Sequence, residues 1–554
     1  MREGTWWKNP IFRRYVRSRL RWQSFFSWGL VMLLLTGFVY LLSFLLTRER
    51  LLSAGMGEAL AQREGFRATL LPLLVVQGIM LLLMGTGAVA SGIGREREEG
   101  MVDYQRLTPL SPATKALGYL FGLPVREYAF FLLTVPFLVA TAVGGAIPLG
   151  ALLRVYSVFF ASACLYHLTG LVAGLVLKRS AMAARGTQFL VVVLYLLMPR
   201  FSDLGISFFE YLTVRPVALA EFQSLLDFDL GDGDAVWLQG VPLFHLEVEQ
   251  AVFSLLLQTG LAVVLFAIVR RRWARQAGLL LGKNFALGAF SAMLLLLVGH
   301  LIPMVRSEAL FELRSASWWR TTSGWGALGQ TALIGLVALA SFGMLVTVVG
   351  GLLTLAITPG REMILRGLRR ARKRSLKRLS LSADESPSGL YVLGIVGLVS
   401  LAWWLLAREL SGLPRMAEAL PSGTPFWSYL LVPILAIGLA HWTWECFGPR
   451  GLFVLVVPGW ILPPMVGVIL ISAQLIEPQA VYLLAWNPVT LCFFQVFREM
   501  RVPDTLPLAP AYWLSLAGHG LAWGCLGWWR GKMSRRLQQA VASNERVSFP
   551  QEFT

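Results

Sequence analysis

The stretch QSFFSWGLVMLLLTGFVYLLSFLLT, running from Gln23 to Thr47, decides what kind of protein this is. It contains no charged residue. At ~1.5 Å of rise per residue, about 20 apolar residues in a helix cross a hydrocarbon core of ~30 Å. The basic, aromatic segment Met1 to Trp22 precedes it. The run is too long for the apolar core of a signal peptide and has no small-residue cleavage site, so it reads as a retained first span. The whole chain agrees. Of its 554 residues 56% are hydrophobic and 14% charged, with a mean hydropathy of +0.63. A soluble domain carries about 25% charged residues. A chain with so little charge is not disordered, and it cannot cover an ordinary water-exposed surface, which argues against a soluble enzyme.

Working outward, similar uncharged runs recur at 70–92, 128–146, 155–177, 251–269, 285–304, 328–357, 390–407, 428–443, 452–471 and 511–529. Another, at 187–198, is cut short by Pro199 and Arg200. The run 481–497 is interrupted by Pro488 and reads as a re-entrant or interfacial segment. The expected fold class is all-α: a polytopic α-helical membrane protein with about twelve transmembrane helices and short interfacial helices. The spans fall into two sets of six, giving an expected first unit at 1–276 and a second at 277–554. Each set has its longest inner loop between its second and third spans.

Charge placement orients the chain. Lys and Arg total 49 against 31 Asp and Glu, a net charge of +18. With both termini cytoplasmic, the inner segments hold 33 basic residues and the outer segments 13. That is the bias of the positive-inside rule. The excess of cations is therefore read as basic loops on an anionic leaflet, with no nucleic acid expected. The strongest run, Arg361 to Arg378, has nine basic residues and one acid, each worth ~1 kcal/mol against such a leaflet.

Catalytic and metal signatures are missing. Cys164, Cys446, Cys492 and Cys525 form no CxxC pair, and there is no HExxH. Gly278 to Asn284 approaches a Walker A loop but has one residue too few between its glycines and no Ser or Thr after Lys283. His441 and Glu445, at i and i+4, read as a structural hydrogen-bonded pair, and His300 and His519 as structural. Asp227, Asp229, Asp232 and Asp234 fail the EF-hand spacing and read as a solvated loop. No metal or catalytic residue is expected.

The distinctive loop is Gly94 to Gly122, GREREEGMVDYQRLTPLSPATKALGYLFG. An Arg/Glu cluster ends the second span. A short amphipathic helix follows, expected to carry Val102 and Leu107 on one side. Thr108-Pro109-Leu110-Ser111-Pro112 then forms a rigid turn, because each proline fixes φ and disfavours helix before it. Charge runs are usually solvated faces, and that is the plain reading. The other is a stiff element able to pass force between a soluble partner and two spans.

Glu96-Arg97-Glu98-Glu99-Gly100 with Leu107-Thr108-Pro109-Leu110-Ser111-Pro112 resembles the signature of ABC transporter permeases of the type-2 exporter family. There the pattern is roughly E-R-E-x-G-T-x-x-x-L-x-x-x-P-L-S after the second span. Met101 departs from it, standing where Thr or Ser is usual. Asn9 to Arg21 is similar to the family's interfacial elbow helix, and Asn487-Pro488-Val489-Thr490 to an element before its last span. The resemblance implies a permease subunit whose segment 94–122 is a coupling helix docking on a separate ATP-binding-cassette ATPase. ATP and Mg would be bound by that partner, and an unknown substrate would be exported across a bacterial inner membrane. The second half lacks the E-R-E-x-G and P-L-S elements. A secondary transporter with two six-span halves is the alternative, although acids within its spans are nearly absent.

Overall fold

The computed structural model describes residues 9–203, 207–226, 240–275, 278–307, 330–375, 379–416, 420, 424–473, 477–498 and 507–543. The acidic string Asp227 to Asp234 lies outside them, as do Lys377 and Arg378. The described chain is helical apart from one short hairpin, Val241–Leu243 with Leu246–Val248. Ten of its helical stretches are long and apolar enough to cross a membrane, against about twelve expected; the run 511–529, which falls within the helix Leu508–Ser543, is not among the ten. The protein is an all-α, multi-pass membrane protein.

In chain order the helices of the first part are α1 (Pro10–Arg19), α2 (Trp22–Ser53), α3 (Glu58–Ala68), α4 (Leu70–Gly78), a π-helical turn (Ile79–Met84) and α5 (Gly85–Glu98). Next come α6 (Met101–Leu107), α7 (Pro112–Gly122), α8 (Val125–Gly144), α9 (Leu149–Val176), α10 (Ser180–Asp203), α11 (Arg215–Leu226) and α12 (Gln250–Ala274). The remainder comprises α13 (Lys283–Arg306), α14 (Gln330–Ile357), α15 (Arg361–Lys373), α16 (Gly389–Ser411), α17 (Phe426–Val454), α18 (Leu462–Ser472), α19 (Glu477–Ala485), α20 (Leu491–Phe497) and α21 (Leu508–Ser543).

Two differences from the expected spans have local causes. The stretch Phe426–Ser472 is a single candidate span by length but turns at Gly448, whose φ of 66° breaks the helix into two. The run at 187–198 belongs to a longer helix that begins at Ser180 and continues to Asp203, so Pro199 and Arg200 do not cut it short. Pro488 does break 481–497: α19 and α20 have 9 and 7 residues, each too short to cross. Asn487 Oδ1 accepts from the Val489 amide at 2.8 Å to build the turn between them.

Contacts divide the chain into two compact units, one of residues 1–202, 207–241 and 247–276, the other of 203–206, 242–246 and 277–554. Within the first, the fourth apolar helix α9 packs against α5 and α12. Within the second, α17 packs against α14, α16 and α21. In each unit the fourth span is therefore the hub. The outer faces are apolar as well: Phe26, Leu34, Phe38 and Leu46 of α2 are all more than half exposed. So extensive an exposed apolar surface belongs in lipid.

Candidate functional site

The segment 94–122 takes its shape from three local devices. Gly100, at φ 75°, occupies the left-handed region that glycine enters without strain, so α5 ends and α6 leaves in a new direction. Ser111 then caps α7, its Oγ accepting from the Thr114 amide at 3.1 Å, with Pro112 at the first helical position. Between the two, buried Lys115 reaches back to the end of α6 and donates to the carbonyls of Arg106 at 3.3 Å and Thr108 at 3.1 Å. Burial, with Arg106 nearby, lowers the pKa of its ammonium. The Thr108–Pro112 turn is thus held by a buried cation as well as by its prolines.

The base of this element is a packed core. Ile11 and Tyr15 of α1, Val89 and Ile93 of α5, Val102 of α6, Tyr119 and Leu120 of α7, Leu171 of α9 and Trp273 of α12 form one cluster. Tyr119 stacks on Trp273 with centroids 5.2 Å apart, a contact worth ~0.5–1.5 kcal/mol beyond its area. Helix α1 closes onto α7 because Gly118 and Gly122 offer no side chain there. A Cβ on Gly118 would lie 2.9 Å from Ile11 Cβ, and one on Gly122 would lie 2.9 Å from the Tyr15 ring. Asn9 fastens the same crossing. Its Oδ1 accepts from the Ile11 amide at 3.0 Å, and its Nδ2 donates to the Thr114 carbonyl at 2.7 Å.

Glu96 sits inside this base. Its Oε1 takes the Arg14 guanidinium and the Tyr15 hydroxyl, and its Oε2 takes the Tyr119 hydroxyl. Burial, reinforced by the carboxylate, raises both tyrosine pKa values well above the ordinary range, so both hydroxyls stay protonated and donate. One carboxylate therefore ties α1, α5 and α7 together. Glu98 has a different task. Its Oε1 accepts from the Ser180 amide at 2.5 Å and its Oε2 from the Ser180 hydroxyl at 3.0 Å, which places a carboxylate on the N-terminus of α10. Arg97, Thr108, Leu110, Ser111 and Pro112 are half-buried, whereas Glu99, Gly100 and Pro109 are exposed.

Val102 and Leu107 do not share a side of α6. Five residues apart, they are ~140° apart around a helix of 3.6 residues per turn. Val102 is 1% exposed in the core, while Leu107 is 84% exposed. The outward face is instead Met101, Tyr104 and Leu107, at steps of three, rimmed by Glu99 and Asp103. That apolar tip escaped the sequence reading because Tyr104 and Met101 looked incidental beside the charges. The spacing i, i+3, i+6 was the available signal, as was the G-x-x-x-G of Gly118 and Gly122 for the crossing.

In the second unit the segment in the corresponding place is α15. Its Ile364, Leu365, Gly367 and Ala371 are buried, and Arg369, Arg370, Arg372 and Lys373 are exposed. Burial depresses the pKa of Arg361 at its start. Lys283, the near-miss of a phosphate loop, is buried and bonded to the Ser386 carbonyl and hydroxyl, the latter at 2.8 Å. His441 and Glu445 are not the expected hydrogen-bonded pair. Nε2 and Oε2 lie 3.7 Å apart, His441 Nδ1 shares a hydrogen bond with Thr358 Oγ1 at 2.9 Å, and Glu445 takes Arg530 at 2.6 Å. The arginine wins because it carries a permanent charge and a forked donor set. His300 and His519 each hydrogen-bond a backbone carbonyl, of Pro242 and Ser515. No group of three His, Cys, Asp or Glu able to hold a metal occurs among the described residues. No family model, characterised protein or solved structure matches the chain.

Proposed function

We propose that the chain is the membrane-spanning permease subunit of an ATP-binding-cassette transporter, exporting a substrate while separate ATPase subunits bind ATP and Mg. One observation carries this reading: the exposed apolar tip Met101–Tyr104–Leu107 stands on a base packed into α1, α5, α7, α9 and α12. A short helix with apolar side chains outward at one end and a welded core at the other suits a docking lever. A partner that seats the tip and shifts it moves the base with it, because interlocked side chains leave little room to absorb the displacement. The contact falls to Met101, Tyr104, Leu107, Pro109 and the rim acid Glu99, since Glu96 and Glu98 have partners inside the unit. The localisation that goes with this reading is a bacterial inner membrane with both termini cytoplasmic.

The test uses the full-length tagged chain purified from its native membrane. ATP hydrolysis should copurify with it, and Tyr104→Asp with Leu107→Asp should remove that hydrolysis while leaving the thermal stability of the chain unchanged. A wild-type chain that carries no ATPase, and that moves solute in vesicles when given only an ion gradient, would replace this reading with a secondary transporter. Orientation has its own check. In a cysteine-free background, Met56→Cys and Ser382→Cys should label oppositely with an impermeant thiol reagent, Ser382→Cys from the cytoplasmic side.

A further inference from the structure

The second unit carries a cationic surface that the docking lever does not use. Two elements build it. Helix α15 follows the apolar helix α14 after three residues, Thr358, Pro359 and Gly360. Its apolar face is spent inward, with Ile364 and Leu365 each 7% exposed and Ala371 8% exposed. What remains outward is almost entirely cationic. Of the acids beside it, Glu362 is taken by Arg366 at 3.0 Å and Glu385 by Arg370 at 2.6 Å. The second element is the polar end of α21, against which α15 packs. Leu537 of α21 is buried, and the Arg372 guanidinium donates to the Val541 carbonyl. Lys532, Arg535 and Arg536 project from that end and are exposed.

Aromatic side chains mark the depth of this surface. Trp528 is 65% exposed, Trp529 43% and Phe447 41%. Phe447 stacks on Trp529 with centroids 6.0 Å apart, and the Arg361 guanidinium lies 6.0 Å from the Phe447 ring. Lys532 Nζ lies 5.3 Å from the Trp528 ring. Phe447 belongs to one of the ten stretches able to cross a membrane, next to its turn at Gly448, and exposed tryptophans beside the end of such a helix sit at headgroup level. From Trp529 to Arg536 α21 rises ~10 Å, and a headgroup layer is roughly 5–8 Å thick. Lys532, ~4.5 Å beyond Trp529, therefore falls within the layer, and Arg535 and Arg536, ~9 and ~10.5 Å beyond it, lie at its outer edge, within reach of headgroups through their long side chains.

We propose that α15 and the polar end of α21 together bind the headgroups of anionic phospholipids. The occupant is lipid because the cations of α21 lie within two turns of exposed aromatics and α15 follows directly on the membrane-crossing helix α14. The apolar face of α15 is already covered by its own unit, so the helix lies on the leaflet without inserting, and binding is electrostatic and salt-sensitive. This inference is independent of the reading of α6.

The experiment titrates delipidated full-length protein in detergent with dioleoylphosphatidylglycerol or dioleoylphosphatidylcholine, following lipid retention by native mass spectrometry and the shift in Tm. The wild type should prefer the glycerol lipid, and raising the salt should weaken that preference. The variant Lys373→Gln, Arg374→Gln, Arg535→Gln, Arg536→Gln should bind it at least tenfold more weakly, while keeping the wild-type Tm in phosphatidylcholine. All four side chains are exposed, so their replacement leaves the fold intact. A second variant, Arg535→Gln with Arg536→Gln, should fall between the two. Equal binding of both lipids by the wild type, or unchanged affinity in the fourfold variant, would overturn the proposal. So would protection of Lys373 and Lys532 from an amine-reactive reagent by a copurifying protein but not by anionic lipid, which would assign the surface to a protein partner.

Discussion

The segment joining the second and third spans of the first unit, and its counterpart in the second, occupy the same place in the order of elements and have opposite chemistry. In the first, a carboxylate is drawn inward: Glu96 gathers Arg14, Tyr15 and Tyr119, and the apolar residues Met101, Tyr104 and Leu107 are left outside. In the second, the apolar residues are drawn inward and the cations are left outside. Amphipathic helices thus do not announce by pattern alone which face they will offer. The choice follows from what the neighbouring helices can satisfy. A largely desolvated carboxylate is tolerable where three donors converge on it. In the second segment Ile364 and Leu365 go in, and its arginines meet Glu385 and the Val541 carbonyl at the exposed edge.

The two segments should differ most when the carboxylate is removed from each. Glu96→Ala leaves Arg14 and two tyrosine hydroxyls without their acceptor. Arg14 is 37% exposed, so water screens part of the loss, and a destabilisation of about 3 kcal/mol is expected. Thermal unfolding in detergent should show it as the largest single-residue fall, with Glu96→Gln falling less. Glu385→Ala, which frees the 55% exposed Arg370, should cost no more than ~0.5 kcal/mol. Equal losses would mean that the two segments are anchored alike.

The next effect is steric. Gly118→Leu should push α1 off α7, at a cost of ~1–3 kcal/mol. The diagnostic is not the loss itself but faster hydrogen exchange in α1, with α2 unaffected. The smallest expected effect is at Glu98. Glu98→Ala should leave global unfolding nearly unchanged and raise hydrogen exchange only at the amides of Ser180 to Ala183, because the carboxylate is exposed and serves one helix end. A large global loss there would place Glu98 beside Glu96 as part of the anchor.

The amino-acid sequence by itself determined the solvent and the fold class. Uncharged runs of about 20 residues have one stable environment, and within it backbone groups must bond internally, which makes them helices. It also indicated the break at Pro488, although Pro136, Pro199 and Pro303 stand inside continuous helices, so a missing amide ends a helix only where the surrounding fold allows it. Tertiary structure alone decided the roles of the charges. Glu96, Glu98 and Glu99 are neighbours in one run of like residues, yet one is held in a core, one serves a helix terminus and one faces out. Their partners lie roughly 80 positions away for Arg14 and Tyr15 and for Ser180, a distance no periodicity reports. The same holds for Glu445, where the i, i+4 spacing pointed to His441 and the fold supplied Arg530. Burial sets the strength of an electrostatic contact through the local dielectric, and burial is a property of the packed helices rather than of any one of them.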